Sequence, residues 1–262
     1  MPRGGVQDRM KLRYAGTTHV GVRRKHNEDN FVMVPEQRLY VVADGMGGHA
    51  CGEVASQITV ETMGSFYKES AEDNELTWPC KEEATMSPSE NRLRAGVKLA
   101  NLRIFEKALS DPKYKGMGTT VVVAYFHGDH VTLAHVGDSR VYRYRGDTLT
   151  QMTEDHSLLN DYKKMATLTE EEERNFPHKN IIVRALGMKE TVEVDVQTDQ
   201  PVSGDIYLLC SDGLNGELED EEIEAILTES ETIEEACARL IEDACEKGGK
   251  DNVTVVLVQV VD

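Results

Sequence analysis

No apolar run in this sequence approaches the ~18–20 residues that a membrane span requires. The first ten residues, MPRGGVQDRM, lack the apolar core of a secretory signal. The chain is therefore expected to be cytoplasmic, with residues 1–10 a flexible leader. Basic residues are in deficit: 29 Lys and Arg stand against 47 Asp and Glu, a formal charge of −18. Such a surface repels nucleic-acid backbones and anionic membranes, so neither is expected as a partner. Five cysteines (Cys51, Cys80, Cys210, Cys237 and Cys245) show no CxxC or zinc spacing, and their number is odd. They read as reduced, structural thiols. The eight histidines likewise show no HExxH spacing. Only 7 prolines are present, and no Gly-, Ser- or Pro-rich linker or internal repeat divides the chain, so residues 11–262 are expected to form one domain.

What is present is a succession of short strand-like runs. Leu12–Val20, Phe31–Val34 and Leu39–Ala43 come first. Thr119–Phe126 and Val131–Val136 flank a turn at His127-Gly128-Asp129-His130, and Arg140–Arg145 and Leu149–Met152 flank Gly146-Asp147. Thr191–Gln197, Ile206–Cys210 and Val253–Val261 follow. Short turns imply antiparallel neighbours, and strands apolar on both sides imply sheets covered on both faces. Helical spacing appears after His49 (Val54, Ala55, Ile58, Met63), then at Leu93, Val97, Ala100, Ile104 and Ala108, and again over Ile223–Leu227 and Ile233–Cys245. Glu69–Glu90 reads as a loop, and Glu154–Leu186 as a surface excursion, a candidate flap. The expected fold is α+β: a layered α-β-β-α sandwich of two mostly antiparallel sheets flanked by pairs of helices.

Apolar strands in this chain repeatedly run into an aspartate. LYVVA meets Asp44-Gly45, YLLCS meets Asp212-Gly213, TLAHVG meets Asp138, and Asp251-Asn252 stands directly before VTVVLVQVV. Each alone is an ordinary turn, because glycine accepts positive φ and aspartate bonds nearby backbone. Strand ends of a sandwich converge, however, and carboxylates crowded at one end repel unless a cation neutralises them. One shared metal site accounts for them together. Carboxylates, a glycine carbonyl and water are hard donors suited to Mg²⁺ or Mn²⁺. Upstream, Arg24-Lys25-His26-Asn27-Glu28-Asp29 is either an exposed charged turn or a phosphate grip in which the Arg24 guanidinium takes two oxygens at once. In the second reading Glu28 and Asp29 hold water on a metal or orient the arginine.

With these residues in place, the sequence resembles the type 2C family of metal-dependent protein phosphatases, in its bacterial form. RKHNED at 24–29, DGMGGH at 44–49, GMGTT at 116–120, VGDSR at 136–140, CSDGL at 210–214 and KDNVTVV at 250–256 fall in the family's order. The match runs from about Arg13 to Val261. The resemblance implies that Asp44 bridges two metals, that the Gly45 carbonyl binds one, and that Asp212 and Asp251 complete the first metal's shell. It implies that Asp138, together with Asp212, holds a third, weaker metal. Arg24 would bind the substrate phosphate, Glu28 would lie behind a metal ligand or water, and Asn252 would steady Asp251. Two Mn²⁺ or Mg²⁺ ions would activate a water that attacks the phosphoryl group of phosphoserine or phosphothreonine, with no phosphoenzyme. No cysteine has a phosphate-loop spacing, which argues against a cysteine nucleophile.

One departure concerns the leaving group. Many eukaryotic members of the resembled family carry a histidine directly after the Asp-Gly pair; here that position is Met46, and His49 lies three residues on. No general acid is assigned. Glu154–Leu186 matches the family's variable flap, in which Lys163-Lys164 and Glu170–Glu173 would shape substrate access. The expected partners are phosphorylated Ser/Thr proteins, a cognate Ser/Thr kinase and that kinase's targets, met by a monomer. Two rivals are a binding module of the same fold without turnover and a hydrolase of another phosphoester; a substrate panel separates them.

Overall fold

The structure is a computed structural model that describes residues 10–47, 51–72, 78–166 and 181–262, with 168, 169, 172, 176 and 177 between the last two stretches. The expected leader through residue 9, His49, and Glu170, Glu171 and Glu173 of the acidic run lie outside the described residues.

Two antiparallel sheets face each other. The first has the order β1 (Lys11–His19), β11 (Val253–Val261), β10 (Ile206–Cys210), β7 (Arg140–Arg145), β8 (Thr148–Gln151). The second has the order β2 (Asp29–Val34), β3 (Leu39–Met46), β5 (Val121–His127), β6 (His130–Val136), β9 (Asp195–Asp199), with the short β4 (Gly118–Thr119) paired to the far end of β3. Helices α1 (Cys51–Glu72) and α2 (Pro88–Ser110) cover the second sheet, and α5 (Asp220–Glu229) and α6 (Ile233–Lys247) cover the first. Two shorter helices, α3 (Leu158–Met165) and α4 (Asp212–Asn215), complete the described set. The chain has the expected α+β sandwich fold.

Side-chain alternation explains why the strands are apolar throughout. In β3, Tyr40 and Val42 point between the sheets, while Leu39, Val41 and Ala43 point to the helices. In β11, Val256, Val258 and Val260 enter the inter-sheet core, and Val253, Val255 and Leu257 meet α5 and α6. Both faces are buried, so no polar residue is required at alternate positions. The Gly146–Asp147 turn between β7 and β8 has φ of 55° and 58° at its two central residues, the primed geometry that matches strand twist. Local signals fix the helix starts: Ser87 and Glu90 form a reciprocal capping box with Pro88 in the first turn of α2, and the Thr232 hydroxyl caps α6.

Three sequence expectations shift. The strand expected over Thr191–Gln197 begins only at Asp195, whose pair with His135 is the last of its ladder with β6; Val192 and Val194 pack into the core without pairing. The expected loop Glu69–Glu90 is shorter, since α1 continues through Glu72 and α2 starts at Pro88. The strand expected to stop at Ala43 instead carries Asp44, Gly45 and Met46 as β3, held by β4. No helix among the described residues is long and apolar enough to cross a membrane. No disulfide joins the five cysteines.

Candidate active site

Each acid reaches one end of the sandwich on a different element. Asp44 sits inside β3, directly opposite Asp29 of β2. Its backbone is pinned from the far side: the Thr119 hydroxyl and the Thr120 amide donate to the Asp44 carbonyl at 2.8 and 2.9 Å, and the Asp44 amide donates to the Thr120 hydroxyl. Asp138 follows β6 in the turn to β7, and Asp212 opens α4 directly after β10. Asp251 lies in the turn before β11 and caps its own neighbour, its Oδ1 accepting the Asn252 amide at 2.8 Å. Asp29, Asp138, Asp212 and Asp251 all lie close enough to Asp44 to raise its carboxyl.

Two close approaches require glycine. A Cβ on Gly45 would meet the Gly52 carbonyl oxygen at 2.2 Å and the Glu28 carbonyl oxygen at 2.5 Å, so β3 crosses the start of α1 with backbone against backbone. A Cβ on Gly213 would lie 1.9 Å from the Asn252 carbonyl oxygen, so the Asp212 and Asp251 turns are pressed together. The Asp-Gly pairs in the sequence are therefore more than turn formers here.

The electrostatics are those of a site built for positive charge. Burial, then Asp29, Asp212, Asp138 and Asp251, push the Asp44 carboxyl far above its ordinary range. Burial and the neighbouring Asp212 raise Asp138 to about 7. Asp29 also rises to about 7, chiefly through burial, although the Ser211 and Thr254 hydroxyls donate to its Oδ2 at 2.7 and 2.6 Å. Asp212 is raised by burial and by Asp251. Among the described residues, Asp29 Oδ1 and Asp138 Oδ1 are buried with no hydrogen-bond partner. Buried orphan carboxylate oxygens are costly, and a hard divalent cation is the group that satisfies them. The donor set fits such a cation.

Arg24, Glu28 and Asn252 form the rim. Arg24 is half exposed and donates to Asp251 Oδ2 at 2.6 Å, which keeps the guanidinium beside the acids rather than in bulk solvent. Glu28 is raised by burial and receives the Gly52 amide. The Asn252 side chain accepts the Glu28 amide at 2.8 Å and donates to the Val20 and His26 carbonyls, both at 2.9 Å. Its side chain thus straps the whole 20–28 loop to the Asp251 turn, a wider contact than steadying one neighbour. Asp29 does not orient Arg24; it is buried beneath the cluster on Ser211 and Thr254.

A second group, the ring nitrogens of His135 and His156 with an Asp195 oxygen, lies within 4.8 Å. Hydrogen bonding argues against a cation there. The Gly137 amide donates to His156 Nδ1 at 3.0 Å, which leaves the ring's proton on Nε2, facing Asp195 at 3.3 Å. Ligation through Nε2 would demand an imidazolate, and the Arg184 guanidinium already shares Asp195.

Comparison with known proteins decides the family. The family model described as Protein phosphatase 2C matches residues 15–257. The chain belongs to the protein phosphatase 2C family. It is a protein phosphatase and, with its family, metal-dependent. The chain is 38% identical over 244 residues to the serine/threonine phosphatase stp of Listeria innocua, covering 90% of this chain and 91% of that one. Its fold superposes on serine/threonine phosphatase Stp1 from Staphylococcus aureus with a TM-score of 0.86, at 32% identity over all of both chains. It superposes on the catalytic domain of the phosphatase PstP in complex with two manganese ions with a TM-score of 0.80, at 37% identity, covering 96% of this chain and 99% of that one.

Several supporting residues of this protein phosphatase had no role in the sequence reading, although Thr119, Thr120, Ser211 and Thr254 stand inside its motifs. Gly52, Thr119, Thr120, Ser211 and Thr254 act on the acids from other elements, and small residues on apolar elements carry no signal of that duty. Arg140 holds Asp155 through paired bonds, Nε to Oδ1 at 2.9 Å and a terminal nitrogen to Oδ2 at 2.7 Å, which ties the turn after Asp138 to the start of the 154–186 excursion. Beside Met46, a cleft of about 430 Å³ is lined by residues 182–185, 188, 189 and 191–193 of the same phosphatase. Within the excursion, Lys164 pairs with Glu154 at 2.7 Å.

Proposed function

We propose that this chain hydrolyses phosphoserine and phosphothreonine in proteins, and that Asp44, the Gly45 carbonyl, Asp138, Asp212 and Asp251 hold Mn²⁺ or Mg²⁺, two ions with a weaker third. The observation that carries the reading is the cluster of buried Asp29 and Asp138 with half-buried Asp44 and Asp212, its raised carboxyls and two orphan oxygens. Bound cations supply the charge that acidifies water and offsets the phosphoryl oxygens at neutral pH.

The chain's own residues do the rest. Arg24, on the rim, presents a planar guanidinium to the phosphoryl oxygens and aligns the group for in-line displacement. Glu28 lies behind the ligands, with its carboxyl anchored to the Gly52 amide. Asn252 fixes the loop that carries both, so arginine and acids keep one geometry. Met46 has no proton to give the leaving alkoxide, and no side chain is assigned that task. The domain spans 11–262 and works as a cytoplasmic monomer, with 154–186 as a flap beside the site. Its substrates are phosphorylated Ser/Thr proteins, among them a cognate Ser/Thr kinase and that kinase's targets.

The test is hydrolysis of a phosphothreonine and a phosphotyrosine peptide, with Mn²⁺ and then EDTA. Phosphate released from phosphothreonine in Mn²⁺ and lost in EDTA supports the reading. Binding without release from a folded chain would make the protein a phosphopeptide-binding module instead.

A further inference from the structure

Among the described residues Asp138 Oδ1 has no hydrogen-bond partner, and the residue before it is a glycine at positive φ. Gly137 has φ of +111°, and a Cβ there would lie 2.6 Å from Thr120 Cγ2. Something else must hold this peptide in register. Both backbone groups of Gly137 are taken by one residue: its amide donates to His156 Nδ1 at 3.0 Å, and its carbonyl accepts the His156 amide at 2.9 Å. His156 is buried, and it is fixed in turn. Its Nε2 lies 3.1 Å from an Arg184 terminal nitrogen and 3.3 Å from an Asp195 oxygen; guanidinium only donates, so with the Nδ1 lone pair taken by Gly137 the Nε2 proton goes to Asp195. Its ring stacks on His135, centroids 4.6 Å apart and planes 19° from parallel. His135 donates through Nε2 to the Glu154 carbonyl at 2.8 Å, two residues before His156.

We propose that His156, oriented by Asp195, is a positioning residue that holds the Gly137–Asp138 peptide so that the Asp138 carboxylate presents to a cation. The inference rests on the reading of Asp138 as a cation ligand. The amide hydrogen of Gly137 requires a lone pair at Nδ1, and Asp195 requires the proton at Nε2, so the two contacts select one neutral tautomer. Burial, with His135 and Arg184 nearby, lowers the His156 pKa to about 4, which keeps the ring neutral near pH 7. The device also links the acid site to the end of the flap segment, since the Val183 amide donates to the His156 carbonyl at 2.9 Å and Arg184 follows directly. It is the physical counterpart of an outer partner that orients a metal ligand, displaced by one peptide.

Two isosteric substitutions separate the roles. In His156→Asn the amide oxygen falls where Nδ1 stood and still accepts from Gly137. In His156→Gln the polar end falls nearer Nε2, and the Gly137 amide loses its partner. Mn²⁺ binding to each is measured by paramagnetic resonance of the free ion, alongside the melting temperature in EDTA and the Mn²⁺ dependence of phosphothreonine-peptide hydrolysis. Asp138→Asn is run in parallel. Expected are Mn²⁺ affinity for the weakest site within about 3-fold of wild type in His156→Asn, and a loss of roughly 10–100-fold in His156→Gln, with similar melting of the two in EDTA. Equal Mn²⁺ affinity in the two variants, whether both high or both low, overturns the proposal while leaving the cation site standing. Unchanged Mn²⁺ binding in Asp138→Asn overturns the cation reading of Asp138 and the proposal with it. If His156→Gln does not fold, Asp195→Ala, made at a half-exposed position, decides: a loss of about 3–10-fold supports the proposal, and none overturns it.

Discussion

Removing one carboxylate from the acid cluster separates charge from chemistry. Asp44→Asn deletes the residue that Asp29, Asp138, Asp212 and Asp251 all raise, so it relieves repulsion in the cation-free protein while removing the central ligand. Hydrolysis of a phosphothreonine peptide in Mn²⁺ should fall well beyond the roughly 10–100-fold that losing an outer partner costs. The melting temperature in EDTA should hold or rise. Turnover near wild type would remove Asp44 from the site. Arg24→Ala should act differently. Its guanidinium is half exposed and bonds the outer Asp251 oxygen, so Mn²⁺ affinity should stay within a few-fold while kcat/KM drops by about 10–100-fold, the size of one or two charge-assisted hydrogen bonds. Mn²⁺ affinity falling in step with kcat/KM would make Arg24 a structural partner of Asp251 instead.

The crossing of β3 over the start of α1 shows how an element sets the site. Gly52 opens the helix where a Cβ would meet the Gly45 carbonyl carbon, its oxygen and the Met46 nitrogen at 2.6, 2.7 and 2.8 Å, all of them backbone atoms that cannot rotate away. Gly52→Ala should push strand and helix apart, lowering stability by about 1–3 kcal/mol in a denaturant titration. It should also lower activity, because Gly45 and Glu28 move with the crossing. An unchanged midpoint would mean that the helix start yields at no cost. Helix α1 was legible from Val54, Ala55, Ile58 and Met63, since a buried face repeats with the helical period. The crossing was not legible, because two glycines that meet only where strand and helix cross carry no periodic pattern. The late start of β9 has the same origin: apolar alternation over Thr191–Gln197 reports burial, whereas pairing depends on where the chain comes alongside β6.

At the scale of the whole molecule, the acid cluster makes stability depend jointly on pH and cations. Asp29 and Asp138 titrate near 7 in the fold, and Asp44 and Asp212 are raised too. In the unfolded chain aspartates titrate near ~3.9. Between these limits the folded protein holds protons that the unfolded chain has released, so cation-free stability is greatest at the acidic side and falls as pH rises through 7. Cations take the place of those protons. Saturating Mn²⁺ should therefore raise the melting temperature more at pH 7.5 than at pH 5.5. An equal rise at both would mean that the cluster is not where the ion binds. Unfolding should be a single transition, because the layer of Tyr40, Phe126, Tyr207 and Val258 belongs to both sheets at once.

The sequence by itself determined the sandwich, its turns, and the identity of Asp44, Asp138, Asp212 and Asp251 as acids that strands carry to a common end. Those properties are written in local pattern: period two on strands buried on both faces, glycine at turns, an apolar run meeting an aspartate. Only the tertiary structure decided which acid is deepest, that Asp29 lies beneath the cluster on Ser211 and Thr254 rather than beside Arg24, and that Asn252 straps the 20–28 loop. It also decided that His156 clasps the peptide before Asp138. Burial and hydrogen-bond partners depend on which segments meet, and partners 19 to 225 positions apart leave no mark on one another's local sequence.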